Sequence, residues 1–341
     1  MPYPHPIRLR GPWECLPLAR HGGGPLPPGG KTAVPGDWGA LLGADFRGRV
    51  RYRRWFHCPA ELDPHARAWL VVEGLDPRGT VSLNGHLLGE VRGYALPAAF
   101  DVTSLLILRN ELHLEIDFPP DGEAESIAAR PGRAGLPGGP LGEVRLEIRG
   151  QYFVEDFALT AFERGGEVEL NVAGRVAGHV QTNAAREPLE LIVAGERGEL
   201  LVGEVLPGEA FSLDGVAPPF APWRAGQPCR PLEVEARLLQ GGTRVWQRTL
   251  RLAHRPLWDE TAANSAETIE QILDDAEYER FDQQGRAVVQ CLPGDWAATV
   301  CPRLAHHPSI VGWRSNGFPR QAIAFGRPWL APSLVASGRI S

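Results

Sequence analysis

A run of carboxylates, Asp274, Asp275, Glu277 and Glu279, has the residue type that acid–base catalysis uses. In a catalytic pair, both carboxylates must lie close to the same bond of the substrate. The surrounding sequence instead predicts a helix, on which a charge run of this kind usually forms a solvated face. We therefore interpret the four carboxylates as surface charge and assign no catalytic role to them.

Histidine and cysteine residues offer two other kinds of chemistry. His306 and His307 are adjacent, so their side chains point apart on a helix, and no third ligand has the spacing of a zinc site. Five cysteines are scattered singly, without the CxxC spacing of a zinc site or the pattern of a disulfide framework. Cys291 follows a predicted strand, but no base is positioned beside it, which favours a passive thiol. The sequence predicts no metal and no cofactor.

The elements that must position these residues begin with strands in the first third of the chain. Residues 50–56, 68–73 and 111–116 are β-branched or aromatic and are bounded by turn residues. Asn84-Gly85 predicts a tight hairpin turn, because both residues tolerate positive φ. The pattern predicts an antiparallel sandwich over residues 1–118, in which Pro- and Gly-rich residues 1–48 form an N-terminal strap.

Residues 119–142 are rich in Gly and Pro, which predicts a linker. Residues 143–254 predict a second all-β domain, since segments such as 167–172 and 232–238 alternate polar and apolar residues strictly. About seven strands over this length are typical of an immunoglobulin-like sandwich. The Cys…Trp…Cys pattern of antibody domains does not occur here.

Residues 255–341 change to a β/α pattern. We predict a helix over 265–284, capped by Ser265 and stopped by Gly285, and an apolar strand over 286–290. A second helix over 296–306 and a strand over 310–313 follow. Helices that alternate with apolar strands are typical of a parallel sheet.

The amino-acid composition indicates which kinds of partner this protein is expected to bind. The 341 residues are 43% apolar and carry a formal net charge of −6, and no Lys/Arg cluster forms a face, so nucleic acid is not an expected partner. No apolar run approaches the ~20 residues of a membrane helix, and residues 1–10 contain no apolar signal-peptide region. We therefore expect a cytoplasmic protein without a membrane partner.

Seven short pieces occur in a fixed order in the first third of the chain. In that order they resemble the sugar-binding jelly-roll domain of glycoside hydrolase family 2, the β-galactosidase, β-glucuronidase and β-mannosidase family. The resemblance implies a galactose-binding-like jelly roll, and the segment from Leu141 to Leu146 resembles the entry into the family's immunoglobulin-like domain. The pieces are Gly11-Pro12-Trp13, Val34-Pro35-Gly36-Asp37-Trp38, Phe46-Arg47-Gly48, Tyr52-Arg53-Arg54-Trp55-Phe56, Ser82-Leu83-Asn84-Gly85-His86-Leu87-Leu88-Gly89, Phe100-Asp101-Val102-Thr103 and Asn110-Glu111-Leu112.

Residues 278–293 and 303–313 are similar to an internal slice of the same family's catalytic (β/α)8 barrel. In the family, the second of these segments ends in a tryptophan, a short turn and an Asn-Glu pair that supplies the acid/base residue. Here the sequence reads Trp313-Arg314-Ser315-Asn316-Gly317-Phe318. Matched from the tryptophan, the glutamate position falls on Phe318, which can neither donate nor accept a proton.

A retaining glycosidase needs two carboxylates about 5–5.5 Å apart. The segment after Arg255 is also much shorter than the roughly 250 residues of a complete barrel. We therefore expect a small, truncated barrel remnant over residues 255–341 and no catalysis by this chain alone.

Trp296, Trp313 and Asn316 fall at or after the C-terminal ends of the two predicted strands, the end at which barrel active sites lie. Aromatic rings stack on sugar faces, so these three residues are our predicted carbohydrate-binding residues. The alternative is that they cover the hydrophobic core of the remnant.

Three functions remain open from the sequence. The first is a non-catalytic relative of the family that binds carbohydrate or acts as a scaffold. The second is a subunit of a β-glycosidase whose barrel is completed by another chain. The third is a structural assembly module without a ligand, in which a second copy or another chain packs on residues 265–330, because an open parallel sheet exposes edges and apolar faces.

Overall fold

The computed structural model describes residues 3–59, 62, 65–120, 135–178, 187–256, 260–293 and 296–316. The chain divides into two compact units, of which the first runs from Tyr3 to Arg149 and the second begins at Gly150. Strands are the main element of both. Within the described residues, no helix is long and apolar enough to cross a membrane.

The first unit is a sandwich of two mainly antiparallel sheets. One sheet has the order β3-β2-β4-β9-β6-β7 and the other β1-β10-β5-β8, where the bounds are β1 (His5–Arg8), β2 (Trp13–Arg20), β3 (Gly30–Thr32), β4 (Gly48–His57), β5 (Arg67–Val72), β6 (Leu75–Leu83), β7 (His86–Gly93), β8 (Ala98–Asp101), β9 (Arg109–Phe118) and β10 (Val144–Arg149), with a short helix α1 (Gly39–Leu42).

Strict alternation along β9 shows how the core of this sandwich forms. Leu112, Leu114 and Ile116 are fully buried, while the residues between them face outward. Trp13 and Trp38 are also fully buried in the same core cluster, which draws on both sheets. Each such side chain contributes roughly 1.5–3 kcal/mol by leaving water. The predicted β-sandwich is confirmed.

The basic run in β4 is neutralised by its neighbours. Arg51 donates from Nε to Glu115 at 2.8 Å, and Arg53 donates from Nε to Glu14 at 2.8 Å. Both acids lie on adjacent strands of the same sheet. The basic run is therefore part of a half-exposed strand whose charges are paired within the sheet, rather than a free cationic surface.

The Asn84-Gly85 hairpin turn is confirmed. It joins β6 to β7, and both residues have positive φ, at 52° and 83°. The Asn84 side chain donates to the carbonyl oxygen of Leu105 at 2.8 Å and to Oδ1 of Asn110 at 2.9 Å. Its own Oδ1 accepts from the backbone N–H of Glu111 at 2.8 Å. All of these partners are protein groups, so the turn ties neighbouring loops together.

The predicted domain boundary after residue 142 assigns the strand β10 to a different sandwich from the one that it joins in the structure. The sequence pattern predicts that residues 143–149 belong to the second sandwich, but β10 pairs with β1 and β5 of the first unit. Local alternation cannot reveal this, because it shows that a strand exists and not which strand it pairs with. The other predicted domain boundaries stay predictions.

The second unit contains a second sandwich and an α/β element. The sandwich sheets have the orders β15-β12-β11-β18 and β14-β13-β16-β17, and the third sheet is β19-β20-β21. The bounds are β11 (Tyr152–Arg164), β12 (Glu167–Gly178), β13 (Leu189–Gly195), β14 (Gly198–Val205), β15 (Ala210–Ala217), β16 (Leu232–Gln240), β17 (Thr243–Leu252), β18 (Arg255–Pro256), α2 (Glu260–Ser265), β19 (Glu267–Ile269), α3 (Asp275–Gln284), β20 (Val288–Pro293), α4 (Ala297–Leu304) and β21 (Ile310–Asn316).

The predicted helix over 265–284 is wrong in its first half. Ser265 ends α2, where its hydroxyl donates to the carbonyl oxygen of Thr261 at 2.7 Å. The next residues form β19, which pairs in parallel with β20. Helix α3 begins only after Asp274, whose side chain accepts from the backbone N–H of Glu277 at 2.9 Å. The long-range pairing with β20 satisfies backbone groups that a helix would otherwise use, so it overrides the local pattern.

We use the name α/β element for the described residues from 260 to 316. It contains three parallel strands, one more than the sequence predicts, and α3 and α4 connect them. It packs on the second sandwich, with α4 against β11 and with Trp223 and Ala253 in a shared core cluster with Val289 and Val311. The predicted stop at Gly285 is confirmed, with φ at 66°.

Candidate functional site

The C-terminal edge of the sheet β19-β20-β21 is the candidate site, because ligands of parallel α/β folds bind at that edge. All three strands are parallel, so their C-terminal ends lie on one side. Glu270 follows β19 there, and Cys291 and Arg314 lie in the neighbouring strands β20 and β21.

Gln290 is the buried polar residue at the centre of this sheet, and its amide is occupied by protein groups. Its Nε2 donates to the carbonyl oxygens of Ile269, Gln271 and Cys291 at 3.1, 3.3 and 2.9 Å. Its Oε1 accepts from the Tyr278 hydroxyl at 2.6 Å. The amide therefore fastens the segment after β19, and α3 behind it, to β20. It offers no free group to a ligand.

The predicted carbohydrate-binding tryptophans are both buried. Trp296 precedes α4 and is 2% exposed, and Trp313 lies opposite Gln290 in β21 and is 7% exposed. The backbone of Asn316 pairs with Pro293. Phe318 lies outside the described residues. Neither indole presents an open face, so this arrangement favours the core-covering alternative, and sugar binding by these residues stays a prediction.

The thiol at this edge is poorly suited to nucleophilic attack. Burial raises the pKa of Cys291, the nearby Glu270 carboxylate raises it further, and Arg314 opposes both. The protonated thiol is thus favoured, which agrees with the passive role expected from the sequence. Glu270 directly follows β19 at this edge of the sheet, and its side chain is exposed.

The His306-His307 pair lies at the opposite, N-terminal end of β21. Asp282 of α3, which is 1% exposed, accepts from Nδ1 of His307 at 2.7 Å and from the backbone N–H of Ser309 at 3.0 Å. The His307 ring lies 5.3 Å from the Tyr278 ring. A carboxylate thus joins the end of α3 to the turn that opens β21. The contact is structural.

Asp282, His307 and Ser309 have the residue types of a hydrolase triad but not its geometry. Neither His307 Nε2 nor Ser309 Oγ has a hydrogen-bond partner among the described residues, and both are buried. A triad requires those two atoms to share a hydrogen bond. The group therefore cannot activate a serine in this arrangement.

His306 is held as a neutral imidazole. Burial lowers its pKa well below the ordinary value, and the nearby His307 and Arg248 lower it further. Among the described residues, no group of three or more His, Cys, Asp or Glu side chains could hold a metal ion. The histidine pair is accordingly part of the packed interior.

Comparisons with known proteins identify the type of one domain and the fold of the chain. Residues 47–173 match the family model described as the glycosyl hydrolase 2 galactose-binding domain-like family. No curated protein matches the chain. Solved structures share its fold at low identity.

A β-glucuronidase from Bifidobacterium dentium, complexed with coumarin-3-O-glucuronide, has a TM-score of 0.67 at 17% identity, covering 92% of this chain and 68% of that one. An FMN-binding β-glucuronidase from Faecalibacterium prausnitzii has a TM-score of 0.69 at 17% identity, covering 93% and 59%. A β-D-mannosidase from Dictyoglomus thermophilum has a TM-score of 0.68 at 17% identity, covering 91% and 52%. The chain thus spans about half to two thirds of the length of these glycosidases. Residues 47–173 thus carry a galactose-binding-like domain of the glycosyl hydrolase 2 type, and the chain shares the fold of these glycosidases.

Proposed function

We propose that this chain is a non-catalytic relative of glycoside hydrolase family 2 with a scaffold or carbohydrate-binding role. The observation that carries the proposal is Phe318 at the position that matches the family's acid/base glutamate. A phenyl ring transfers no proton, and protonation of the leaving-group oxygen is a required step of glycoside hydrolysis.

The α/β element supports the scaffold role more than the binding role. Its central amide, Gln290, is occupied by backbone carbonyls and Tyr278, and its two predicted sugar-stacking residues, Trp296 and Trp313, are buried. The polar groups and aromatic rings that would orient a sugar are therefore used to hold the element together.

Hydrolysis of nitrophenyl glycosides tests the proposal. The purified chain is expected to release no nitrophenol from β-glucuronide, β-galactoside or β-mannoside substrates above the spontaneous rate. Turnover that disappears in Glu270→Gln, or in Asp295→Asn at the acid that follows β20 in the sequence, would overturn it. Calorimetric titration with the matching sugars separates the two roles, since a scaffold gives no saturable heat and a binder does.

A β-glycosidase subunit completed by another chain is the second candidate. It is favoured by the parallel sheet of the α/β element, which is the kind of sheet that catalytic barrels use, and by the glycosidases that share the fold. Co-purification with a second chain that restores nitrophenyl glycoside hydrolysis would support this candidate. A single polypeptide species that stays inactive would support the scaffold.

A further inference from the structure

A small cavity lies inside the second unit, between the second sandwich and the α/β element. Its volume is about 20 Å³. Residues 160–162 of β11, Arg255 and residues 304–308 line it, together with Ile310 and Trp313. The turn that opens β21 thus faces it, so the cavity lies toward the end of the sheet opposite to the candidate site.

Two buried polar atoms belong to residues that line this cavity, one in each of the two elements. Thr160 comes from the sandwich and His307 from the α/β element, and each residue is 2% exposed. Thr160 Oγ1 and His307 Nε2 have no hydrogen-bond partner among the described residues. A buried polar atom without a partner is destabilising. The great majority of buried polar atoms are therefore paired with protein groups or with ordered water.

We propose that this cavity binds one water molecule that bridges Thr160 Oγ1 and His307 Nε2. A water needs roughly 10–15 Å³ of such volume and two to four polar partners, and the cavity meets both needs. It is too small for a sugar or any other organic ligand. Arg255 lines the same space, so a cation would be repelled.

The proposed hydrogen bonds follow from Asp282, which is the partner of the other nitrogen of the His307 ring. Asp282 accepts the proton of His307 Nδ1, so Nε2 is the ring atom that is left to bond the water. The water oxygen then accepts from the Thr160 hydroxyl. The chain Asp282–His307–water–Thr160 joins α3, the opening of β21 and β11, and so fastens the α/β element to the sandwich that supports it.

Crystal structures of the wild type, Thr160→Val and Thr160→Ser test the proposal, which is independent of whether the protein is catalytic. We expect an ordered water within hydrogen-bond distance of both atoms in the wild type and in Thr160→Ser, and its loss in the nearly isosteric Thr160→Val. An empty cavity in the wild type, or a water unmoved in Thr160→Val, would overturn the proposal.

Thermal unfolding adds a second readout. Valine keeps the shape of threonine but removes its hydroxyl, so the Tm of Thr160→Val is expected to fall about 2–4 °C below that of Thr160→Ser. Serine keeps the hydroxyl and loses a methyl group. A Tm for Thr160→Val equal to or above that of Thr160→Ser would contradict the bridge.

Discussion

Replacing Asp282 by alanine removes the acceptor that joins α3 to the turn before β21. The carboxylate is 1% exposed and accepts from His307 Nδ1 and from the backbone N–H of Ser309. Alanine leaves both buried donors unpaired. Because breaking a buried hydrogen-bonded network at one partner costs several kcal/mol, we expect a loss of about 3–5 kcal/mol in the free energy of unfolding.

Urea unfolding monitored by tryptophan fluorescence measures this loss. Trp296 and Trp313 are buried in the α/β element, so their emission reports on its unfolding. Glu279→Gln is the matched control, since Glu279 lies on the same helix and pairs with Arg251 at 3.0 Å at the surface. An exposed pair contributes about 0–1 kcal/mol.

The loss of unfolding free energy in Asp282→Asn should lie between the losses in Asp282→Ala and Glu279→Gln. The amide oxygen of asparagine still accepts from the Ser309 N–H, but it carries no charge. The reasoning is refuted if Asp282→Ala costs no more than the Glu279→Gln control. That result would mean that the buried carboxylate does not hold the two elements together.

Acidification should destabilise the second unit, since His306 stays neutral in the folded chain while it protonates below about pH 6.5 in the unfolded chain. The unfolded state then binds more protons, so stability falls by about 1.4 kcal/mol per pH unit below that value, and His306→Gln should remove this part of the slope in urea titrations at several pH values. Burial raises the pKa of the Cys15 thiol to about 11 and that of Cys301 to about 12, so Ellman's reagent should label the half-buried Cys58 in the native protein and those two only after unfolding. Rapid native labelling of Cys301 would contradict this account. Asn84→Ala should cost about 2–4 kcal/mol, because its side chain makes three hydrogen bonds and alanine disfavours positive φ. A variant as stable as the wild type in the same titration would contradict it.

Local sequence patterns were sufficient to predict that the chain forms two β-sandwiches. Residues such as Leu112, Leu114 and Ile116 alternate with polar neighbours, and Asn84-Gly85 has turn chemistry, so both features follow from the chain within a few residues. These signals depend on side chains and backbone preferences that are close in sequence.

Pairing between distant segments was not predictable in the same way. The three-residue strand β19 lies in a segment whose apolar residues Ile269, Ile272 and Leu273 mimic a helical face, and it forms a strand because β20 pairs with it. The strand β10 likewise joins the first unit through β1 and β5. In both cases the deciding contact lies far away in sequence.

The sequence pattern predicts Trp296 and Trp313 at the strand ends, but a local pattern cannot say how deeply each side chain is buried. Gln290 is a single polar residue in an apolar strand, and this is a signal for a buried hydrogen-bonding role that could have been used. Its partners, Ile269 and Gln271, could not be identified before β19 was known.

Hydrolysis by the purified chain is the most direct test of the central claim that Phe318 replaces an essential proton donor. Nitrophenyl β-glucuronide, β-galactoside and β-mannoside should be cleaved at the spontaneous rate, and Glu270→Gln and Asp295→Asn should leave that rate unchanged. Cleavage above that rate, lost in either variant, would show that this chain has its own catalytic carboxylate and would contradict the account.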